Sequence, residues 1–439
     1  MKLSGFGRYL PREAEVNAPR GEHDICLAIS RGALIARGNG RAYGDAAVAP
    51  YTLDMRNFNR MLAFDETTGQ LVVEAGVRLD EIIATFLSRG WFPYVTPGTK
   101  FVTVGGMVAA DVHGKNHHKD GSFRQFVDWL ELLREDGSIT RCSRADAPEL
   151  FEWTIGAMGL TGIILRVAFR LRRVETAWIQ QTGIAAPDLA SAFDIFERSG
   201  EESYSVAWID ALASGAAAGR SIVMLGNHAL LSDLPAAKCH APFDRRNRLQ
   251  LGVPFDAPGW LLNGHFVRLF NALYYRRGKA TAGQKLVDLD SYFYPLDALP
   301  GWNRIYGRRG FLQFQCVLPL ASSLAGMTKL LENISAAGLG SFLAVLKRFG
   351  PQDGPFAFPM EGHTLALDFP ASAKVLALLD RLDAIVIDHG GRFYLAKDAR
   401  MSAQTLHRSD PRATRLAGMR RAGGQAAHFA SYQSLRLEL

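Results

Sequence analysis

Residues 37–45 read RGNGRAYGD, and this glycine-rich stretch decides how the first part of the chain folds. A second such stretch, PGTKFVTVGG, occupies residues 97–106, and HGKNHH follows at residues 113–118. Glycine-rich turns present bare backbone N–H groups to something that must approach closely, most often the pyrophosphate of a dinucleotide. The first stretch runs into the turn signal Tyr43-Gly44-Asp45 rather than into a helix, so the spacing is not that of a Rossmann nucleotide site.

The bulk composition is that of a globular protein, and a length of 439 residues favours two domains over one. No apolar run is long enough to cross a bilayer, and residues 1–8 lack the apolar core of a secretory signal. The cysteines are scattered, which predicts reduced thiols in a cytoplasmic protein rather than a disulfide frame or a metal site: Cys26, Cys142, Cys239 and Cys316.

The net charge of +7 at pH 7 is compatible with nucleic acid, a membrane surface or an anionic substrate as partner. No helix-turn-helix or RNA-binding signature is present, so we expect no nucleic-acid partner. The basic excess is clearest between His240 and Ala280, where only Asp244 and Asp256 oppose Arg245, Arg246, Arg248, Arg268, Arg276, Arg277 and Lys279.

The hydrophobic pattern changes character near Arg172-Arg173. Before that point it predicts strands at residues 33–36, 71–75 and 162–169, a helix at 79–87, and a hairpin in which 129–133 and 138–140 flank Asp136-Gly137. After it, the pattern predicts strands at 311–317, 341–347 and 363–369 and a helix at 374–387. Strands broken by helices indicate a second domain of the α+β class.

Several polar residues on apolar strands are candidates for a binding site. Gln313 and Gln315 share one strand face, which suits a polyhydroxylated ligand but also an exposed sheet face. Lys347 ends an apolar strand, where a lysine is most often only solvated. Strict alternation places Tyr394 and Lys397 on opposite faces, so a shared site requires the strand to end or twist between them.

Two further segments allow more than one interpretation. His113, His117 and His118 with Asp111 suggest metal, but their spacing matches no common metal motif, so a wall of the dinucleotide site is the simpler hypothesis. Residues 260–275 are apolar nearly all round and are followed by Arg276, Arg277 and Lys279. They predict either a buried helix or a mobile lip at a site for a lipid-linked, phosphorylated substrate.

Nearly the whole chain resembles the FAD-linked oxidases of the vanillyl-alcohol-oxidase type, and within them most closely the decaprenylphosphoryl-β-D-ribose 2′-oxidases. The motifs that carry the resemblance are GRAYGD at 40–45, VGG at 104–106 through His118, LTGII at 160–164, SVAW at 205–208, FYPLD at 293–297, WNR at 302–304, Gln313, Gln315, Lys347, and AKD at 396–398. The resemblance implies an FAD-binding domain of residues 1–175 completed by 392–439, and an α+β substrate domain of 176–391 with an antiparallel sheet.

The resemblance also implies roles for individual residues. FAD would be bound by Arg37, Gly38, Asn39, Gly40, Arg41, Ala42, Tyr43, Gly44, Asp45, Ala46, Gly98, Thr103, Val104, Gly105, Gly106, Ala110, Asp111, Val112, His113, Ile164 and Tyr394. The site facing the flavin ring would be lined by Tyr43, His113, Lys115, Trp208, Tyr294, Gln313, Gln315, Lys347 and Lys397.

Two departures from the family pattern affect the interpretation. Arg41 and Ala42 stand where many relatives carry a flavin-linking histidine, which implies non-covalent FAD. Ala366 and Thr364 stand where the mycobacterial enzymes have a cysteine and an asparagine, which implies insensitivity to inhibitors that capture that thiol. These two changes leave the hydride chemistry in place but bear on the identity of the sugar or lipid.

The resulting hypothesis is an FAD-dependent oxidoreductase that oxidises a sugar hydroxyl, most simply the 2′-OH of a polyprenylphosphoryl-β-D-ribose, to a ketone. A separate NAD(P)H-dependent reductase would complete the epimerisation to arabinose, for use in the cell envelope. We expect a cytoplasmic enzyme with peripheral contact at the inner membrane and no metal. The alternatives are an oxidase or dehydrogenase of a free polyol, aldonolactone or cyclitol, and a flavin-binding subunit without catalysis.

Overall fold

The structure, a computed structural model, describes residues 1–244, 252–256 and 264–439. The strands within these residues are β1 Lys2–Leu3, β2 Arg12–Glu13, β3 Glu15–Asn17, β4 Ile35–Arg37, β5 Tyr51–Asp54, β6 Met61–Asp65, β7 Gln70–Glu74, β8 Trp91–Pro93, β9 Val127–Leu133, β10 Ile139–Ser143, β11 Ile163–Arg173, β12 Trp178–Ala186, β13 Tyr204–Ile209, β14 Ser221–His228, β15 Gly283–Asp288, β16 Phe311–Pro319, β17 Ala344–Phe349, β18 Gly362–Pro370 and β19 Arg392–Phe393.

The helices within the same residues are α1 Glu22–Ile29, α2 Leu79–Phe86, α3 Val104–Ala109, α4 His117–Asp120, α5 Pro148–Thr154, α6 Leu189–Arg198, α7 Ala236–Cys239, α8 Gly264–Ala280, α9 Leu289–Phe293, α10 Leu320–Ala337, α11 Ala373–Asp388, α12 Ala403–Ser409, α13 Arg412–Ala422, α14 Gln425–His428 and α15 Tyr432–Leu437. None of these helices has the length and hydropathy needed to cross a bilayer. The four cysteines are free thiols.

The first part of the chain contains three sheets, the smallest of which pairs β1 with β2. A small parallel sheet has the order β3-β5-β4, and a larger antiparallel sheet has the order β10-β9-β11-β7-β6, with β8 paired to β11. Alternate apolar residues of β7, β9 and β11 enter one core with α2 and α3, because successive side chains on a strand point to opposite faces. The predicted hairpin around Asp136-Gly137 is confirmed, since β9 and β10 pair from Leu133 and Ile139 outward.

The second part of the chain forms an antiparallel sheet of eight strands, in the order β15-β12-β14-β13-β17-β18-β16-β19. Leu312, Phe314 and Cys316 of β16 enter the core that also holds the apolar faces of α10 and α11. The intervening residues Gln313 and Gln315 therefore lie on the opposite face of the sheet. That face closes the candidate site described below. The architecture confirms the predicted α+β class.

The C-terminal helices return to the first part of the chain. Leu34 pairs with Phe429, and the Tyr432 backbone N–H donates to Val48 O at 2.8 Å. The Arg436 guanidinium bridges Asp45 at 2.7 Å and Asp398 at 2.9 Å, so it ties the end of the first glycine turn to the segment after β19. These contacts join the C-terminal segment to the first part of the chain. The division into a domain of residues 1–175 with 392–439 and a domain of residues 176–391 stays a prediction.

Some predicted strand boundaries are wrong: the strand expected over 162–169 continues to Arg173, and the one expected over 138–140 continues to Ser143. The strand expected over residues 341–347 begins only at Ala344, as β17. The Ser341 hydroxyl donates to Leu343 O at 2.6 Å and accepts from Leu343 N at 3.1 Å. A serine that binds nearby backbone groups offers the chain an alternative to the sheet ladder. The alternation of apolar residues does not reveal this local competition.

Candidate active site

A cavity of about 290 Å³ lies between the first glycine turn, α3 and the inner face of the eight-stranded sheet. The predicted residues on its wall are Arg37, Gly38, Asn39, Gly40, Arg41, Ala42, Tyr43, Ala46, Gly98, Thr103, Gly105, Gly106, Ala110, Val112, His113, Ile164, Gln313, Gln315, Lys347, Tyr394 and Lys397. The structure therefore brings together residues that are separated by up to 360 positions in the sequence.

The first glycine turn is braced by its own polar side chains. The Arg37 guanidinium donates to Ser4 O at 2.9 Å and to Ala47 O at 3.2 Å. Asn39 donates to Phe101 O at 2.7 Å, so it links the two glycine stretches. A Cβ at Gly38 would lie 2.0 Å from Thr103 Oγ1, and Gly40 has a φ of +63°. Only glycine fits these two positions without strain, and its bare backbone borders the cavity.

The polar end of the cavity is formed by β16, β18 and His113. The Gln315 amide lies 3.0 Å from His113 Nε2 and donates to Thr364 Oγ1 at 3.4 Å. Gln313 donates to Asp368 Oδ1 at 2.5 Å. Both amides are buried, so the alternative of an exposed sheet face is wrong. Burial lowers the pKa of His113 well below its usual value, which keeps the imidazole neutral.

Two lysines and a tyrosine share this polar end. Desolvation lowers the pKa of Lys397 to about 7 and that of Lys347 to about 8. Among the described residues, neither ammonium has a carboxylate within 4.0 Å. Lys397 Nζ lies instead 3.8 Å from the ring centroid of Tyr43, and burial raises the pKa of that phenol. A group that binds here meets amines that exchange protons near neutral pH.

Tyr394 and Lys397 reach the same cavity because the strand ends between them. β19 stops at Phe393, and the Lys397 N–H donates to Tyr394 O at 3.0 Å in the turn that follows. The Tyr394 hydroxyl donates to Ala110 O at 2.9 Å and fixes the ring against the first part of the chain. A shared site required the strand to end or twist between Tyr394 and Lys397, and the strand does end there.

Three residues expected to face the flavin ring lie outside the cavity lining. The Lys115 ammonium donates to Tyr292 O, the Tyr294 hydroxyl bonds to Thr96 Oγ1, and Trp208 Nε1 donates to Phe342 O at 3.3 Å. Each polar group is thus used in a contact behind the wall. Tyr292 and Phe342 supply the backbone carbonyls that accept two of these hydrogen bonds. The sequence alone does not indicate which partner of such a contact faces the cavity.

Four residues expected to bind FAD also lie outside the lining. Asp45 pairs with Arg436, and Asp111 accepts from the Arg124 backbone N–H at 3.1 Å. Val104 is fully buried. A Cβ at Gly44 would lie 2.0 Å from Asp398 O, so this glycine allows close packing against the C-terminal segment. These residues support the cavity wall from behind.

The histidine cluster is distributed among unrelated contacts. His117 Nε2 lies 3.0 Å from Gln352, and His118 Nε2 lies 2.8 Å from Glu202 O. The His113 and His117 rings meet edge to face, with their centroids 6.5 Å apart. Within the described residues, no three His, Cys, Asp or Glu side chains are grouped so that they could hold a metal ion.

Some residues at the site were not predicted from the sequence. Asp368, on β18 opposite Gln313, lies behind the wall, where it accepts a hydrogen bond from the Gln313 amide, and burial raises its pKa to about 7. Asp297, Trp302, Leu343 and Val345 line the cavity itself. Alternation of Thr364, Ala366 and Asp368 on one strand could have identified Asp368, since Gln315 and Gln313 pair with the last two of these positions.

The residues of this cavity fit a flavin dinucleotide. Glycine backbones line the cavity at residues 38, 40, 98, 105 and 106, as a pyrophosphate requires, and polar side chains line its other end. Two buried nitrogen atoms on the wall, Arg41 Nε and His113 Nδ1, have no hydrogen-bond partner among the residues that the structure describes. Buried polar atoms are normally paired, so these two nitrogens are suited to contact a bound group. Such a fold and cavity define a flavin-binding oxidoreductase.

Comparison with known proteins supports the same class. Residues 26–143 match the family model of the FAD binding domain. The chain is 36% identical over 454 aligned positions to the decaprenylphosphoryl-β-D-ribose oxidase of Mycolicibacterium smegmatis, with 100% of this chain and 97% of that protein covered. It is also 28% identical to mouse L-gulonolactone oxidase over 134 positions, 30% of each chain. A putative D-arabinono-1,4-lactone oxidase of Neurospora crassa is 28% identical over 131 positions, 30% of this chain and 23% of that protein.

The chain belongs to the FAD-linked oxidases of the vanillyl-alcohol-oxidase type, in the family of decaprenylphosphoryl-β-D-ribose oxidase. FAD is its cofactor, and it is an oxidoreductase.

Proposed function

We propose that this enzyme oxidises the 2′-hydroxyl of a polyprenylphosphoryl-β-D-ribose to a ketone. The observation that carries the proposal is the polar end of the cavity, where two buried amides and two amines of lowered pKa share one wall: Gln313, Gln315, Lys347 and Lys397. The full-length similarity to an oxidase of this substrate class supports the choice of sugar.

The side chains divide the reaction between binding and charge control. Gln313 and Gln315 hold sugar hydroxyls through their amide groups. FAD, when bound, supplies the redox chemistry by accepting the hydride that leaves the carbinol carbon. As that C–H bond breaks and the C=O bond forms, the hydroxyl proton passes to a basic side chain. Lys347, whose pKa is lowered to about 8, is the candidate acceptor, and Tyr43 is the weaker alternative because burial raises the pKa of its phenol. Lys397 as a cation stabilises the negative charge that develops on the oxygen.

Three further features complete the proposal. FAD is held without a covalent bond, because Arg41 and Ala42 occupy the turn where a linking histidine would stand. The substrate is lipid-linked, so the enzyme works in peripheral contact with a membrane. A separate NAD(P)H-dependent reductase consumes the ketone, because epimerisation of the carbinol carbon needs the two electrons to be returned to it.

Anaerobic bleaching of the bound flavin tests this function. A polyprenylphosphoryl-ribose should remove the yellow absorbance in one equivalent, and the arabinose epimer should not. A free polyol and an aldonolactone serve as competitors, because the lactone oxidases among the relatives favour the alternative of a free substrate. If either of these compounds bleaches the flavin as fast as the ribose lipid does, the enzyme is an oxidase or dehydrogenase of a free substrate instead.

A further inference from the structure

The helix α8 carries a row of exposed apolar side chains. Leu269, Phe270, Leu273 and Tyr274 are 58%, 38%, 59% and 40% exposed, and we call these four residues the α8 stripe. Their spacing of three and four residues places them on one helix face. The alternative that residues 260–275 form a buried helix is therefore wrong for the described part, and residues 260–263 lie outside the described residues.

The opposite side of α8 is fixed to the eight-stranded sheet. Val267 is buried, and Asn271 donates to Asp210 Oδ1 at 2.8 Å. Tyr275 donates to Ala186 O at 3.2 Å, and Gly278 lies so close to Ile222 that a Cβ there would be 2.6 Å from it. The helix therefore cannot rotate the stripe inward without breaking these contacts.

The charge on helix α8 itself has one sign. The helix sequence GHFVRLFNALYYRRGKA contains no acidic residue. Arg277 follows Leu273 by four residues and Phe270 by seven, so it extends the stripe on the same face. Arg276, Arg277 and Lys279 are exposed. This combination of apolar and basic groups is complementary to a surface with apolar interior and anionic edge.

The α8 stripe is continuous with the cavity wall. The Tyr274 ring lies 4.5 Å from that of Trp208, and the Phe270 ring lies 5.0 Å from that of Phe342. Trp208 also donates to Phe342 O, and the next residue, Leu343, lines the cavity. A lipid chain that leaves the cavity beside Leu343 would thus meet apolar rings on its way to the stripe.

We propose that the α8 stripe docks the enzyme on an anionic phospholipid bilayer. The proposal rests on the proposed function in one respect, namely that a lipid-linked substrate requires a membrane beside the cavity. A second copy of this chain is a poorer occupant, because a two-fold contact between stripes would bring the basic ends of both helices to one interface. A bilayer offers apolar depth to the leucines and phosphate groups to the arginines.

Vesicle binding by the FAD-loaded, full-length enzyme tests the proposal. The wild type should co-sediment with vesicles of phosphatidylcholine and phosphatidylglycerol, less with phosphatidylcholine alone, and less again at high salt. Leu269→Glu with Leu273→Glu should reduce the bound fraction to background. The matched control is Leu320→Glu with Leu324→Glu, since these leucines of α10 have the same spacing, exposures of 39% and 46%, and receive the same charge.

The remaining arm separates the contribution of charge from that of apolar contact. Arg276→Glu with Arg277→Glu should weaken binding to the anionic vesicles by about 30-fold or more, because each basic residue contributes about 1 kcal/mol near such a surface. Flavin content and thermal midpoint report whether each variant is folded.

Three results would overturn the docking surface. They are no binding of the wild type to anionic vesicles, an equal loss in the α10 control, or a dimer that stripe variants dissociate while vesicle binding stays unchanged. The vesicle assay contains no sugar, so a negative result contradicts only the docking surface. The proposed oxidation is tested separately by flavin bleaching. If vesicle binding is intact but the ribose lipid does not bleach the flavin, the proposed substrate is wrong and the docking surface stands.

Discussion

Lys397 is the residue on which the proposed chemistry depends most. It lies at the polar end of the cavity beside Tyr43, and its pKa of about 7 means that the charged and neutral forms of the amine are both populated near pH 7. Lys397→Ala should slow flavin bleaching by the ribose lipid by about 10²-fold or more, the usual scale for loss of a charge-stabilising group. Lys374→Ala on the exposed side of α11 is the control. Bleaching at the wild-type rate would exclude Lys397 from the mechanism.

The pH dependence of bleaching distinguishes the two states of Lys397. Below its pKa of about 7 the amine is a cation, and above that value it is neutral. If the cation stabilises the developing negative charge, the bleaching rate falls as pH rises through this range. The charge of Asp368 raises the pKa of Lys397, so Asp368→Asn should move this decline to lower pH. A rate that instead increases through the same range, and still does so in Lys347→Met, would make Lys397 the proton acceptor.

The first glycine turn is the element that most limits substitution. A Cβ at Gly38 would lie 2.0 Å from Thr103 Oγ1, so Gly38→Ala must displace the cap of α3 or the turn itself. We expect a loss of about 1–3 kcal/mol in stability and weaker retention of FAD, measured by thermal unfolding and by flavin content after gel filtration. Gly418→Ala on α13, where a Cβ meets nothing within 4 Å, is the control. Full flavin retention by Gly38→Ala would contradict the role of this turn.

Strand β18 presents Ala366 to the cavity, between Gln315 and Val345 of the neighbouring strands. Ala366→Cys should create a thiol that N-ethylmaleimide alkylates and that a bound sugar analogue protects. Leu365→Cys points into the core on the other face and should stay unreactive. Peptide mapping is needed because Cys26 and Cys239 are half-buried, whereas burial raises the pKa of Cys142 to about 12. Equal labelling at both positions would show that the cavity is not on this face.

Strands in which polar and apolar residues alternate were predicted best. Gln313 and Gln315 were placed together on one face, and β16 has that face toward the cavity. Asp368 was missed although Thr364, Ala366 and Asp368 alternate, because an acidic residue near a strand end usually faces solvent. Helix α8 was expected to be buried in one hypothesis, because apolar residues nearly all round are typical of a core. Sequence alone does not indicate whether such a face meets the protein's own core or a partner.

At the scale of the whole molecule, the cavity exists because distant segments meet. The Tyr43 N–H donates to Ala396 O at 2.9 Å, and Tyr394 donates to Ala110 O. The glycine turns alone predicted a dinucleotide, but the ring-facing wall required the resemblance to a family, because no local spacing joins residues 43, 113, 313 and 397. Trp208, Tyr294 and Lys115 show the limit of that resemblance, since here they support the wall from behind.

The central claim is that the paired glycine turns hold FAD, without a covalent bond, across the cavity between the two parts of the chain. The most direct measurement is the absorption spectrum of the purified protein before and after acid precipitation. We predict a yellow protein whose flavin passes entirely into the supernatant and is identified there as FAD. A colourless protein that takes up no FAD on reconstitution would contradict the account, and yellow colour retained in the pellet would contradict its non-covalent form.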